Sequence, residues 1–140
     1  MSIDLIKEKL IELEKYFDEL QEMILVFPQE EVRSDAGKVH IAERLFQLIV
    51  DTMSDINIHI LEAKDRPYDG TESSFLALGE LGVLPVDFAE KLAPVVGLRN
   101  IIVHRYEKLD VDLFLKSLYG NRDDFKKYVV HISDFISQQN

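Results

Sequence analysis

Between Gly97 and Tyr106 the chain reads Gly97-Leu98-Arg99-Asn100-Ile101-Ile102-Val103-His104-Arg105-Tyr106, and four of those side chains can do chemistry. Arg99 carries a planar, permanently charged guanidinium that matches phosphate oxygens. Asn100 is an amide that donates and accepts, His104 an imidazole that titrates near neutral pH, and Tyr106 a phenol. On a helix, residues four apart share a face, so Asn100 is expected beside His104, with Arg99, Val103 and Tyr106 forming a neighbouring stripe. Arg99 and His104 then lie about 140° apart, an awkward arrangement for an active site within one copy. Two copies of this helix meeting across a two-fold axis would bring both arginines and both histidines into one cleft. Such a cleft would hold what metal-free RNA cleavage needs: a base for the 2′-hydroxyl, an acid for the leaving 5′-oxygen, and cations for the crowded phosphorane.

Other polar groups are weaker candidates. His40 with Glu43 and His59 with Glu62 are each three residues apart, a spacing that suits metal ligands in a carboxylate-rich bundle. The two pairs are offset by 19 residues, about 100° around a helix, so they cannot face one common metal site. Solvated or core-edge polar groups are the better reading, and His131 is given no role. Arg105, Arg44 and Lys38 are candidates for extending an RNA or nucleotide path beside the motif, as is Arg33.

The elements that must position these groups are helices. Apolar residues fall at Ile3, Ile6, Leu10, Leu13, Phe17, Leu20, Ile24 and Phe27, in steps of three and four with charges between, which predicts a long amphipathic helix stopped by Pro28. Ser34 or Asp35 can cap a second, through Val39, Ala42, Phe46, Ile49, Met53, Ile56, Ile60 and Ala63. These two, each of about seven turns, are expected to lie antiparallel. After a turn at 66–70, Thr71 or Ser73 can cap a shorter helix that Gly82 closes. Pro85 suits the first turn of the helix that carries the motif, with Pro94 and Gly97 expected to kink or loosen it. Asp110 should cap a further helix, with an interruption at Gly120-Asn121 before a last helix through Phe125, Val129, Ile132 and Ile136. The fold class is all-α, an up-and-down helical bundle on two long antiparallel helices with shorter additions.

Composition narrows the function. One domain is expected from 140 residues, and the absence of cysteine excludes a disulfide framework and a thiolate zinc site. No run approaches the roughly 18 to 20 apolar residues of a membrane span, and no signal peptide is visible, so a cytoplasmic location is expected. A net charge of −10 argues against a general nucleic-acid binder, because non-specific affinity for phosphate needs clustered Lys and Arg. The cations gather instead at Arg33, Lys38, His40 and Arg44, and at Arg99, His104, Arg105 and Lys108.

In this helical setting the segment Arg99 to Tyr106 resembles the Arg-x4-His-x-Tyr signature of the HEPN superfamily, in its HepT-like branch. The likeness extends along the chain, through Ala42-Glu43-Arg44-Leu45-Phe46-Gln47, Asp55-Ile56-Asn57-Ile58-His59-Ile60, Phe75-Leu76-Ala77-Leu78, Gly82-Val83-Leu84 and the exit from Tyr106 to Asp110. The resemblance implies one HepT-like domain over 1–140, a homodimer and a metal-independent endoribonuclease without cofactor, acting on RNA and not DNA. Many relatives are toxins paired with a minimal nucleotidyltransferase antitoxin that transfers AMP onto the motif tyrosine. Carried over, Arg99 binds phosphate, His104 moves the proton, Asn100 orients one of them, and Tyr106 is the modified residue. A rival reading is a non-catalytic nucleotide- or protein-binding helical module that uses the same Arg-lined cleft.

Overall fold

The computed structural model describes residues 1–139, and among these every regular element is a helix. Helix α1 (Ile3–Leu20) begins where Ser2 Oγ accepts the Leu5 N–H at 3.2 Å, and it buries Ile6, Leu10, Leu13, Phe17 and Leu20. The chain does not leave the helix at Leu20. A π-helical turn over Gln21–Leu25 carries it on, with Val26 N–H bonded five residues back to Gln21 O at 3.0 Å, so the segment ends just before Pro28 as expected. Another helix caps that end: the Tyr119 hydroxyl sits 3.2 Å from Ile24 O, which also accepts the Phe27 N–H, and 2.9 Å from Phe27 O.

After the short α2 (Gln29–Arg33), Asp35 rather than Ser34 caps α3 (Ala36–Ala63), accepting the Lys38 N–H at 3.2 Å. Helices α1 and α3 run antiparallel. Ser2 N–H reaches His59 Nε2 at one end, and Lys38 Nζ lies 4.7 Å over the Phe27 ring at the other. Helix α4 (Gly70–Glu80) follows, but neither Thr71 nor Ser73 sits at its cap position, which Asp69 occupies; Ser73 Oγ instead accepts the Asp69 N–H at 2.7 Å. Gly82, at φ +78, closes the turn into the next segment in a conformation that side chains with a Cβ rarely adopt.

The expected single helix from Pro85 to the motif is two helices. Helix α5 (Val86–Leu92) stops and α6 (Val95–His104) starts afresh, because Pro94 has no N–H to continue the ladder. Gly97 sits inside α6 without loosening it. The last helix departs from expectation in the opposite direction. Helix α7 (Val111–Ser137), capped by Asp110 as expected, runs unbroken through Gly120 and Asn121. A glycine inside a helix costs about 1 kcal/mol, whereas Phe114, Leu115, Leu118, Phe125, Tyr128 and Ile132 are fully buried along one stripe, each worth roughly 1.5–3 kcal/mol. Packing wins, and α7 becomes a third long helix beside α1 and α3.

Helix α7 lies parallel to α3, with Arg33 Nε on Asp112 Oδ1 at 2.8 Å near its start and Lys64 Nζ on Gln139 Oε1 at 3.2 Å at its end. Aromatic rings fill the space between the three: Phe17 stacks on Phe125 and Phe46 meets Phe114 edge-on, with centroids 5.6 and 5.4 Å apart. A buried polar chain locks the register. The Tyr128 hydroxyl lies 2.5 Å from Asn57 Oδ1, Asn57 Nδ2 donates to Ser74 Oγ at 3.2 Å, and Ser74 donates to Thr71 O at 2.6 Å, which ties α7, α3 and α4 together. No helix among the described residues is long and apolar enough to cross a membrane.

Candidate functional site

Helix α6 packs on α3 and carries Arg99, Asn100 and His104, so α3 supplies the partners of the motif. The Arg99 guanidinium is held by Asp51 at two points, Nε to Oδ1 at 2.7 Å and a terminal nitrogen to Oδ2 at 3.3 Å, and its other terminal nitrogen donates to Asn100 Oδ1 at 3.2 Å. This is the two-pronged geometry in which arginine recognises carboxylate or phosphate. Asp51 is 38% exposed, so the pair stays in reach of solvent and of a competing anion. Arg99 and Asn100 line one wall of a cleft of about 360 Å³ whose other side is α3, at Val50, Asp51, Ser54 and Asp55.

His104 is the last residue of α6 and is exposed. The helix is continuous between Arg99 and His104, so the two diverge around it as the spacing predicts, about 140° apart and some 7 Å along the axis. Between them Ile101 and Ile102 are half-buried and Val103 is 38% exposed. Of six aliphatic residues on α6, only Val95 and Val96 are fully covered.

Tyr106 is not on that helix. Arg105, at φ −140 and ψ 46, breaks it, and Tyr106 begins a single 3-10 turn, Tyr106–Lys108. The expected stripe with Arg99 and Val103 therefore does not form. The break turns the phenol back onto α3, where its hydroxyl lies 3.1 Å from each oxygen of Glu43. Glu43 is itself 3.1 Å from His40 Nδ1, and the His40 and Tyr106 rings sit 6.4 Å apart. Burial of the hydroxyl end, and then the hydrogen bond to Glu43, push the Tyr106 phenol above its ordinary value. The group opens onto a recess of about 480 Å³ that Arg33 also lines.

The motif thus splits into two stations on α3. Asp51 serves the Arg99 cleft and Glu43 serves Tyr106, eight residues or about 12 Å apart along the helix. Sequence reasoning missed both partners as such. Asp51 carries no sequence signal beyond its charge. Glu43 had one: it falls in the stripe of Val39, Ala42 and Phe46, and an acid among core positions needs a partner. Its pairing with His40 is real, but the carboxylate turns to a phenol, and among the described residues no group of three or more His, Asp or Glu side chains is placed to hold a metal ion. The second pair is pulled apart: His59 meets the N-terminus of α1 and Glu62 meets Tyr68.

The flanking cations are unequal. Lys38 is occupied by Asp35, Nζ to Oδ2 at 3.0 Å, and by the Phe27 ring. Its charge holds down the pKa of the Asp35 carboxyl through that hydrogen bond. Arg44 is exposed and donates to a neutral group, Gln47 Oε1 at 3.3 Å, and Arg105 is exposed at the break between the two stations.

Known proteins resemble this chain in sequence and in fold. A protein from Aphanizomenon flos-aquae named tRNA nuclease HepT is 34% identical over 98 residues, which span 69% of this chain and 66%, just under two thirds, of that protein. An Archaeoglobus fulgidus protein described as a putative RNase is 24% identical over 129 residues, 89% of this chain and 96% of that one. In three dimensions the chain resembles the Shewanella oneidensis HEPN toxin, solved in tri-AMPylated form in complex with MNT antitoxin, with a TM-score of 0.84 at 22% identity over 96% of this chain and 99% of that one. The family model described as ribonuclease HepT-like matches residues 13–132. With six-sevenths of its length inside that match, this chain belongs to the HepT-like ribonuclease family.

Proposed function

We propose that the protein is a cytoplasmic, homodimeric, metal-independent endoribonuclease that acts as a toxin, held in check by a minimal nucleotidyltransferase antitoxin that adenylylates Tyr106. The observation that carries the homodimer is the placement of Arg99 and His104 on diverging faces of α6, with Ile101 only half-buried and Val103 exposed between them. A two-fold contact on that surface would bury the aliphatic residues and assemble one cleft from two helices.

In that cleft the two His104 imidazoles act as base and acid on the 2′-hydroxyl and the 5′-oxygen, and the Arg99 pair stabilises the phosphorane. Asn100 orients Arg99 through its carbonyl oxygen. A scissile phosphate competes with Asp51 for the guanidinium, which the half-open ion pair permits. Adenylylation of Tyr106, two residues past His104, would add bulk and negative charge at the mouth of the cleft and repel RNA. The antitoxin reading draws on the complexes formed by the Shewanella relative and on the exposed setting of Tyr106.

The rival reading, a non-catalytic nucleotide- or protein-binding module, draws on the ion pair that neutralises Arg99 in the resting chain. Induced expression separates the two. Growth arrest with decay of total RNA in wild type, absent in Arg99→Ala and His104→Ala, is the expected result. Healthy growth with intact RNA from folded wild-type protein would move the reading to the binding module.

A further inference from the structure

Glu43 is 5% exposed, and its carboxylate is committed to two groups alone among the hydrogen bonds it makes: the Tyr106 hydroxyl and His40 Nδ1. A buried carboxylate is costly unless its lone pairs are satisfied, so its place in the stripe of Val39, Ala42 and Phe46 calls for a reason. Both oxygens lie 3.1 Å from the same phenol oxygen, which fixes the hydroxyl hydrogen between them. The lone pairs of the phenol are thereby turned away from α3, toward the open recess lined by Arg33 and His40. Tyr106 as a whole remains 46% exposed. The phenol is held proton inward and nucleophilic lone pairs outward.

We propose that Glu43 is the catalytic base of Tyr106 modification, receiving the phenol proton as Tyr106 Oη attacks the α-phosphorus of a nucleoside triphosphate presented by a transferase. The inference rests on the modification reading above and deepens it. In the step an O–P bond forms between Tyr106 Oη and the α-phosphorus, the bond from that phosphorus to the β-phosphate bridging oxygen breaks, and pyrophosphate leaves with its electron pair. The proton passes from the phenol to Glu43 and from there to solvent. A neutral phenol is a poor nucleophile, and a carboxylate already bonded to it removes the proton as the new bond forms instead of waiting for free phenolate. His40 Nδ1, 3.1 Å from Glu43 Oε1, keeps the carboxylate in place. Arg33, whose ion pair with Asp112 is exposed on both sides, lies on the same recess and faces the incoming triphosphate.

The test uses the full chain, its cognate minimal nucleotidyltransferase and ATP labelled at the α-phosphate, with label at residue 106 located by mass spectrometry. Glu43→Gln keeps the shape and an acceptor oxygen but is a far weaker base, and the rate of label transfer is expected to fall about a hundredfold or more. A fluorinated tyrosine at position 106 separates chemistry from placement, because a more acidic phenol needs less help. The ratio of wild-type to Glu43→Gln rates is expected to shrink when tyrosine is replaced by fluorotyrosine. An unchanged ratio would assign Glu43 a merely structural part and overturn the proposal. Labelling of Glu43→Gln at the wild-type rate would overturn it while leaving Tyr106 as the modified residue. No label on wild-type Tyr106 would overturn the modification reading and the base together.

Discussion

Arg99 and Tyr106 are set up in opposite ways by two acids on one helix. Asp51 offers Arg99 an exchangeable partner at the solvent edge, whereas Glu43 holds the Tyr106 hydroxyl from a buried position. The second arrangement favours the neutral phenol, so Tyr106 should ionise above the ordinary phenol value of about 10. Spectrophotometric titration of wild type against Tyr106→Phe isolates that transition. In Glu43→Gln it should move down toward the ordinary value yet stay above it, because burial is the larger cause and survives the substitution. A transition unmoved by Glu43→Gln would mean the hydroxyl does not rest on that carboxylate in solution. At this scale the sequence was legible in part: residue types and spacing singled out Arg99, Asn100, His104 and Tyr106. Their acid partners lie 48 and 63 residues away in the chain, where spacing carries no information.

The helices obeyed the sequence where local rules act alone and departed from it where packing outweighs them. Asp35 and Asp110 cap their helices and Gly82 closes α4, each by short-range geometry that composition reveals. Gly120 fails to interrupt α7 because the buried stripe spans it, and Arg105 ends α6 one residue before the tyrosine, which no proline or glycine announces. The polar chain through Tyr128, Asn57 and Ser74 is equally invisible to periodicity, which would place Tyr128 as one more apolar body. It fixes how α3, α4 and α7 stand against each other, and thus how α3 faces α6. Tyr128→Phe leaves Asn57 Oδ1 buried without that donor and is expected to cost about 1–3 kcal/mol in denaturant unfolding. A change within a few tenths of a kcal/mol would show that the chain contributes little to the native state.

As a molecule, the protein is an acidic helical bundle with net charge −10 whose cations at the site are few, so the proposed grip on RNA must be local. All-α architecture followed from helical periodicity running the length of the chain, and the divergence of Arg99 from His104 followed from their spacing; under the proposed function the helix that completes the cleft comes from a second copy. Val103 is the test of that completion, being exposed on α6 and apart from the core. Val103→Glu should leave the helical circular-dichroism signal unchanged while light scattering shows a monomer, with a melting temperature lowered by the lost association. A dimer that persists in Val103→Glu would put the two-fold contact elsewhere. Purified unmodified protein incubated with RNA in the presence of a chelator reads out the proposed cleavage through the 2′-hydroxyl by Arg99 and His104. Wild type is expected to yield fragments ending in 2′,3′-cyclic phosphate, with a loss of at least about a hundredfold in Arg99→Ala and His104→Ala. Intact RNA from folded wild-type dimer, or equal cleavage by the variants, would contradict it.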